Sequence, residues 1–199
     1  MEFWEIKTPL TEAVTNMWPL YLWGIVGTVG LNIYYSDQQP TMGDDIGMFA
    51  QSIIPISLWA GITEEIIYRW LMFLMVIVTI QATDWILLGF ADLHMIQWLI
   101  VNITAPVSNF LTLGFLEPYL LNTNWAVGAA VIVSCHNFQK GHAHQGTIGY
   151  LNSWFMGMCF FWVMFNHGII VAMLAHVIYD IVVFSTLYTM MAIREQRLY

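Results

Sequence analysis

The chain has 199 residues, 59% hydrophobic and 9% charged, with a net charge of −8 and a mean hydropathy of +0.67. Soluble domains carry about 25% charged residues, so the composition excludes an ordinary soluble domain and points to a lipid-embedded integral protein of a bacterial inner membrane or an organellar membrane. Five Lys and Arg in total exclude nucleic acid as a partner, because neutralising phosphates needs clustered bases.

Residues 1–199 fit one integral membrane domain. Phe3, Trp4 and Ile6 at the start are expected to lie in the membrane interface as a short amphipathic lead-in. The first span is predicted over about Asn16 to Tyr35, with aromatic residues crowding both ends. Gly24, Gly27 and Gly30 within it would let a neighbouring helix approach closely. Ser36 to Gly47 reads as a polar loop. The second span, about Phe49 to Gln81, is longer than a bilayer needs and carries Glu64 and Glu65 near its middle. Ala82-Thr83-Asp84 reads as a short break with Asp84 as an N-cap.

A third span is predicted over about Trp85 to Ile103, with Asp92 and His94 as hydrogen bonders in the bundle interior. Pro106 and Ser108-Asn109 are expected to break the pattern, and Phe110 to Leu121 reads as a half-span. Trp125 to His136 is the next apolar helix, followed by a polar loop from Asn137 to Gly146 that holds Lys140, His142 and His144. Thr147 to Phe165 and Ile169 to about Ile193 are the last two spans, joined by a tight turn at Asn166-His167-Gly168. The fold class is therefore all-α, a polytopic transmembrane helical bundle of about six or seven spans. Cys135 and Cys159 have no metal or redox spacing and read as small buried hydrophobes.

Ionisable groups at membrane depth cost roughly 2.5–3.5 kcal/mol each on insertion scales, so they mark polar sites. Glu65 and Arg69 are four apart and can pair on one helix face. Glu64 lies roughly 100° round the helix, so its carboxylate need not be the one that Arg69 neutralises. His176 and Asp180 are also four apart, and an Asp can fix a His tautomer. His136 closes a separate helix. Three helices could thus join a carboxylate and two imidazoles. Such a set can activate a water for attack on a peptide carbonyl and stabilise the oxyanion.

Glu64-Glu65-x-x-x-Arg69, then His136, then His176-x-x-x-Asp180 resembles the CAAX protease and bacteriocin-processing family of intramembrane proteases. The family's order is Glu-Glu-x-x-x-Arg, Phe-x-x-x-His and His-x-x-x-Asn or Asp. The resemblance covers about two thirds of the chain, residues 52–185, which would form a CAAX-protease-like core. It implies an intramembrane endopeptidase that cuts a membrane-anchored or lipidated peptide or protein, with no metal or cofactor. By resemblance, Glu64 would be the general base with His136, Glu65 would pair with Arg69, and His176 with the residue at 180 would bind the oxyanion or orient the site. Two departures stand out. Ile132 occupies the position of the family's Phe, and Asp180 stands where the CAAX endopeptidases have Asn. An ionised Asp cannot donate to an oxyanion, so Asp180 is expected to orient His176.

Other readings of the same residues stay open. Glu65–Arg69 could be a structural ion pair, and His136, His142, His144 and Glu64 could hold a metal. A fold can also keep its polar core without the reaction. The chain would then be a structural or assembly subunit of a larger membrane complex.

Overall fold

The computed structural model describes residues 3–34 and 45–196. These residues form helices joined by turns, with no strand among them. Most of the loop expected over 36–47 lies outside the described residues; its last part, from Asp45, is already helical.

A short helix α1 (Leu10–Asn16) leads into α2 (Trp18–Tyr34). Helix α3 (Asp45–Glu64) continues through a π-helical segment, Glu65–Met72, into α4 (Phe73–Ile86). Helices α5 (Met95–Leu99) and α6 (Ala105–Leu111) flank a second π-helical segment, Ile100–Thr104. A short α7 (Glu117–Leu120) follows. It is succeeded by α8 (Trp125–Gly141), α9 (Gly146–His167) and α10 (Ile169–Gln196). Three stretches are long and apolar enough to cross a membrane: Ile46–Ile86, Ala143–His167 and Ile169–Gln196. Met95–Leu111 is apolar but shorter.

Several expected boundaries move. The break predicted at 82–84 falls at 87–94 instead, where Leu88 and Asp92 take left-handed backbone angles (φ 79° and 59°). The cause is Asp84. Its Oδ1 accepts the backbone N–H groups of Ile96 and Gln97, and its Oδ2 accepts His94 Nδ1–H at 2.7 Å. Asp84 therefore caps α5 across the turn, satisfying helix-start donors that would otherwise lack partners. Asp92 and His94 are consequently exposed on this turn and do not lie inside the bundle. Nor does Pro106 break the next helix. It lies inside the continuous helix Met95–Leu111, directly after the π-helical segment Ile100–Thr104, whose widened turns accommodate the missing N–H. Helix α8 also runs past His136, as far as Gly141.

Small residues set the helix spacings. A Cβ at Gly61 would stand 2.8 Å from the Val177 backbone nitrogen, so α3 and α10 meet at backbone distance there. A Cβ at Gly24 would stand 2.9 Å from the Tyr179 ring, which seats α2 on α10. Gly27 and Gly30 have no such neighbour among the described residues. Phe73, Phe160, Phe161, Met158 and Met164 fill the centre.

Phe3–Thr8 forms a strap across the α9–α10 turn and does not simply lie along the surface. Phe3 is buried edge-on against Phe73, and its carbonyl accepts Ile169 N–H. Lys7 Nζ donates to the Phe165 carbonyl at 2.7 Å. Gly168 holds φ 96°, and a Cβ there would overlap the Glu5 carbonyl oxygen.

Candidate active site

The close approach at Gly61 brings the polar turn of α3 beside the polar turn of α10. The π-helical segment begins at Glu65, and such widened turns recur at functional sites. Glu65 and Arg69 remain on one face, with Arg69 Nε 3.4 Å from Glu65 Oε2 and both side chains fully buried. That separation is an ion pair without a hydrogen bond, and none of the three guanidinium nitrogens has a hydrogen-bond partner among the described residues. Aromatic rings enclose the cation. Its carbon lies 4.1 Å from the Phe138 ring centroid, 5.4 Å from Phe160 and 5.8 Å from Phe161. Desolvated cation–π contacts contribute about 2 kcal/mol or more, which partly offsets the cost of burying the charge.

Glu65 also holds His176. The imidazole Nδ1–H donates to Glu65 Oε1 at 2.7 Å, and Phe160 stacks on the ring at 4.3 Å and 20°. The role expected of Asp180, orienting His176, is thus filled by Glu65. Asp180 stands on the other side of the ring, with Oδ1 3.7 Å from Nε2.

Glu64, like Asp180, is left without a direct hydrogen bond among the described residues. Its Oε2 is buried with no hydrogen-bond partner among the described residues, 3.8 Å from His176 Nε2 and 3.9 Å from His142 Nε2. These gaps are too long for hydrogen bonds and short enough for one oxygen atom to touch both sides. The His142 Nδ1–H donates to the Phe138 carbonyl at 2.8 Å. That bond fixes the neutral tautomer and leaves Nε2 as an acceptor facing Glu64.

The structure therefore brings together Glu64, Glu65, Arg69, His176 and Asp180, and it does not bring His136 to them. His136 is exposed on another face of α8, with Nδ1 3.4 Å from Gln139 Oε1. Cys135 and Phe138 of α8, and His142 just past its end, lie on the site's side: Phe138 covers Arg69, and His142 meets Glu64. The signal for this was present in the chain. Phe138-x-x-x-His142 has the Phe-x-x-x-His spacing with a true Phe, which Ile132-x-x-x-His136 lacks. His144 is exposed in the turn before α9. Among the described residues, no three His, Cys, Asp or Glu side chains are arranged to hold a metal ion.

Chemically, the site has a buried anchor and an accessible half. Glu65, Arg69 and the aromatic rings fix His176. Glu64, His142 Nε2, His176 Nε2 and Asp180 converge on one small volume, with Glu64 and His142 partly exposed. Two acceptors flanking one water would take up its hydrogens and leave an oxygen lone pair free for attack.

Comparison with known proteins gives no identity: no family model, no curated protein and no solved structure matches the chain.

Proposed function

We propose that this chain is an integral membrane protein of about six crossings with a CAAX-protease-like core, acting as an intramembrane endopeptidase on a membrane-anchored or lipidated peptide. Beside the three long helices, α2, α8 and Met95–Leu111 would make the remaining crossings. Each is 17 residues long, the lower limit for a spanning helix. The observation that carries the reading is the convergence of Glu64 Oε2 with the Nε2 atoms of His142 and His176, at 3.9 and 3.8 Å.

In this reading Glu64 and His142 activate water. Its oxygen bonds to the peptide carbonyl carbon, its proton passes to Glu64 or His142, and the carbonyl π pair moves to oxygen. Collapse of that intermediate breaks the C–N bond, and the amine leaves with a proton returned by the same pair. Glu65, Arg69 and Phe160 position His176 throughout.

The test uses the purified full chain in liposomes. Its probe is a panel of internally quenched peptides anchored by a farnesyl or an N-acyl tail. Cleavage by the wild type is expected, with a loss of about 10²- to 10⁴-fold in Glu64→Gln and an unchanged melting profile. A panel left uncut by the wild type would sink the endopeptidase reading.

A second reading, an assembly subunit of a larger membrane complex, draws on the outer face around α5 and α6. Trp98, Phe110 and Leu113 are 59%, 79% and 89% exposed there. Recovery in a fixed-stoichiometry complex that Trp98 or Phe110 substitutions disrupt, together with an uncut panel, would favour it.

A further inference from the structure

A tetrahedral oxyanion needs hydrogen-bond donors, and the accessible half of the site is rich in acceptors. Glu64, Asp180 and the His142 Nε2 can only accept in the states described above, and His176, whose Nδ1–H is spent on Glu65, offers a donor at Nε2 only as the doubly protonated imidazolium. One further hydroxyl lies on the helix that carries Glu64. Tyr68 is four residues on from Glu64, on the same side of the helix, and its ring packs edge-on against Phe138 at 5.4 Å and 85°. The hydroxyl reaches α8 beside His142: a Cβ built on Gly141 would lie 3.3 Å from Tyr68 Oη, the nearest atom to it. Tyr68 is half-buried, and no hydrogen bond joins its hydroxyl to another described residue, so the O–H remains available.

We propose that Tyr68 is a catalytic residue whose hydroxyl donates a hydrogen bond to the oxyanion formed when water attacks the peptide carbonyl. The inference rests on the endopeptidase reading. No covalent change occurs at the phenol: the carbonyl oxygen gains the π pair, Tyr68 keeps its proton, and the hydrogen bond strengthens as charge builds. Preorganised donors of this kind act where charge develops in the transition state, and loss of one typically lowers kcat by about 10²- to 10³-fold. Gly141 serves the same purpose passively, since any side chain there would crowd the hydroxyl.

Tyr68→Phe keeps the ring against Phe138 and removes only the oxygen. On a panel peptide that the wild type cuts, kcat should fall by about 10²-fold with KM unchanged, because the bond forms only in the transition state. Gly141→Ala, whose Cβ would stand 3.3 Å from the Tyr68 hydroxyl and shift it by a few tenths of an ångström, should lower kcat by a smaller factor, again without raising KM. It carries the test if Tyr68→Phe fails to fold. Wild-type kcat in Tyr68→Phe, with Glu64→Gln inactive, would overturn the role of Tyr68 and leave the endopeptidase reading standing. If Tyr68→Phe does not fold, wild-type kcat in Gly141→Ala does the same. A fall that appears in KM alone reassigns Tyr68 to substrate binding and overturns the proposal. If the wild type cuts no member of the panel, both readings fall together.

Discussion

Two carboxylate–histidine pairs in this molecule have the same length and opposite characters. Asp84 Oδ2 and Glu65 Oε1 each lie 2.7 Å from an imidazole Nδ1. At Asp84 the other oxygen is saturated by two backbone N–H groups, and His94 is 47% exposed. At Glu65 the other oxygen faces a guanidinium at 3.4 Å, His176 is buried, and two further carboxylates lie within 3.8 Å of the same ring. A short pair by itself therefore identifies nothing. What separates the helix cap from the candidate site is whether neighbouring polar atoms have used up their bonds. Around Asp84 they have, and around Glu64 they have not.

The comparison breaks most severely at Arg69. Arg69→Ala leaves Glu65 as a buried carboxylate held only by His176, so stability should fall by about 3–5 kcal/mol. Thermal unfolding in detergent would read this as loss of the folded species, and a wild-type melting profile would refute the anchor role. Gly61→Ala comes next. Its Cβ meets Val177 backbone, so α3 and α10 must separate at a cost of about 1–3 kcal/mol. Cysteines placed at positions 64 and 180 should then cross-link more slowly than in the parent. Asp84→Ala should cost about 1 kcal/mol as a lost cap, shown by faster amide exchange at Ile96 and Gln97, while peptide cleavage stays at the wild-type rate. The smallest effect is expected at His136. His136→Ala should change stability by no more than about 0.5 kcal/mol and leave cleavage intact, whereas His142→Ala should abolish it. Equal losses in the two would dissolve the distinction between them.

The pattern of apolar runs made most helices legible, because a bilayer-length hydrophobic stretch has few alternatives. The acidic pair, Arg69, His176 and Asp180 were legible for a related reason: ionisable side chains in such runs need partners. The second imidazole is His142 and not His136 because the helix does not stop where polar residues begin. Helix α8 continues through Asn137, Gln139 and Lys140, and Gln139 is buried. Polarity at a helix end says which atoms want partners; it does not say that the backbone has stopped its ladder. The 87–94 turn was illegible for a different reason. A carboxylate that caps a helix by accepting N–H groups twelve and thirteen residues on, with Leu88 in a left-handed conformation, has no local sequence signature.

The strap over the α9–α10 turn bears on how the chain is made. Lys7 leaves the ribosome 158 residues before Phe165, whose carbonyl it binds. During synthesis the Lys7 ammonium and the Phe3 ring must therefore wait until the α9–α10 turn, with Phe165 and Ile169, has been made. Docking of the strap is thus a late event in folding, and a bulky tag fused ahead of Phe3 would interfere with the final closure of the bundle more than with formation of any single helix.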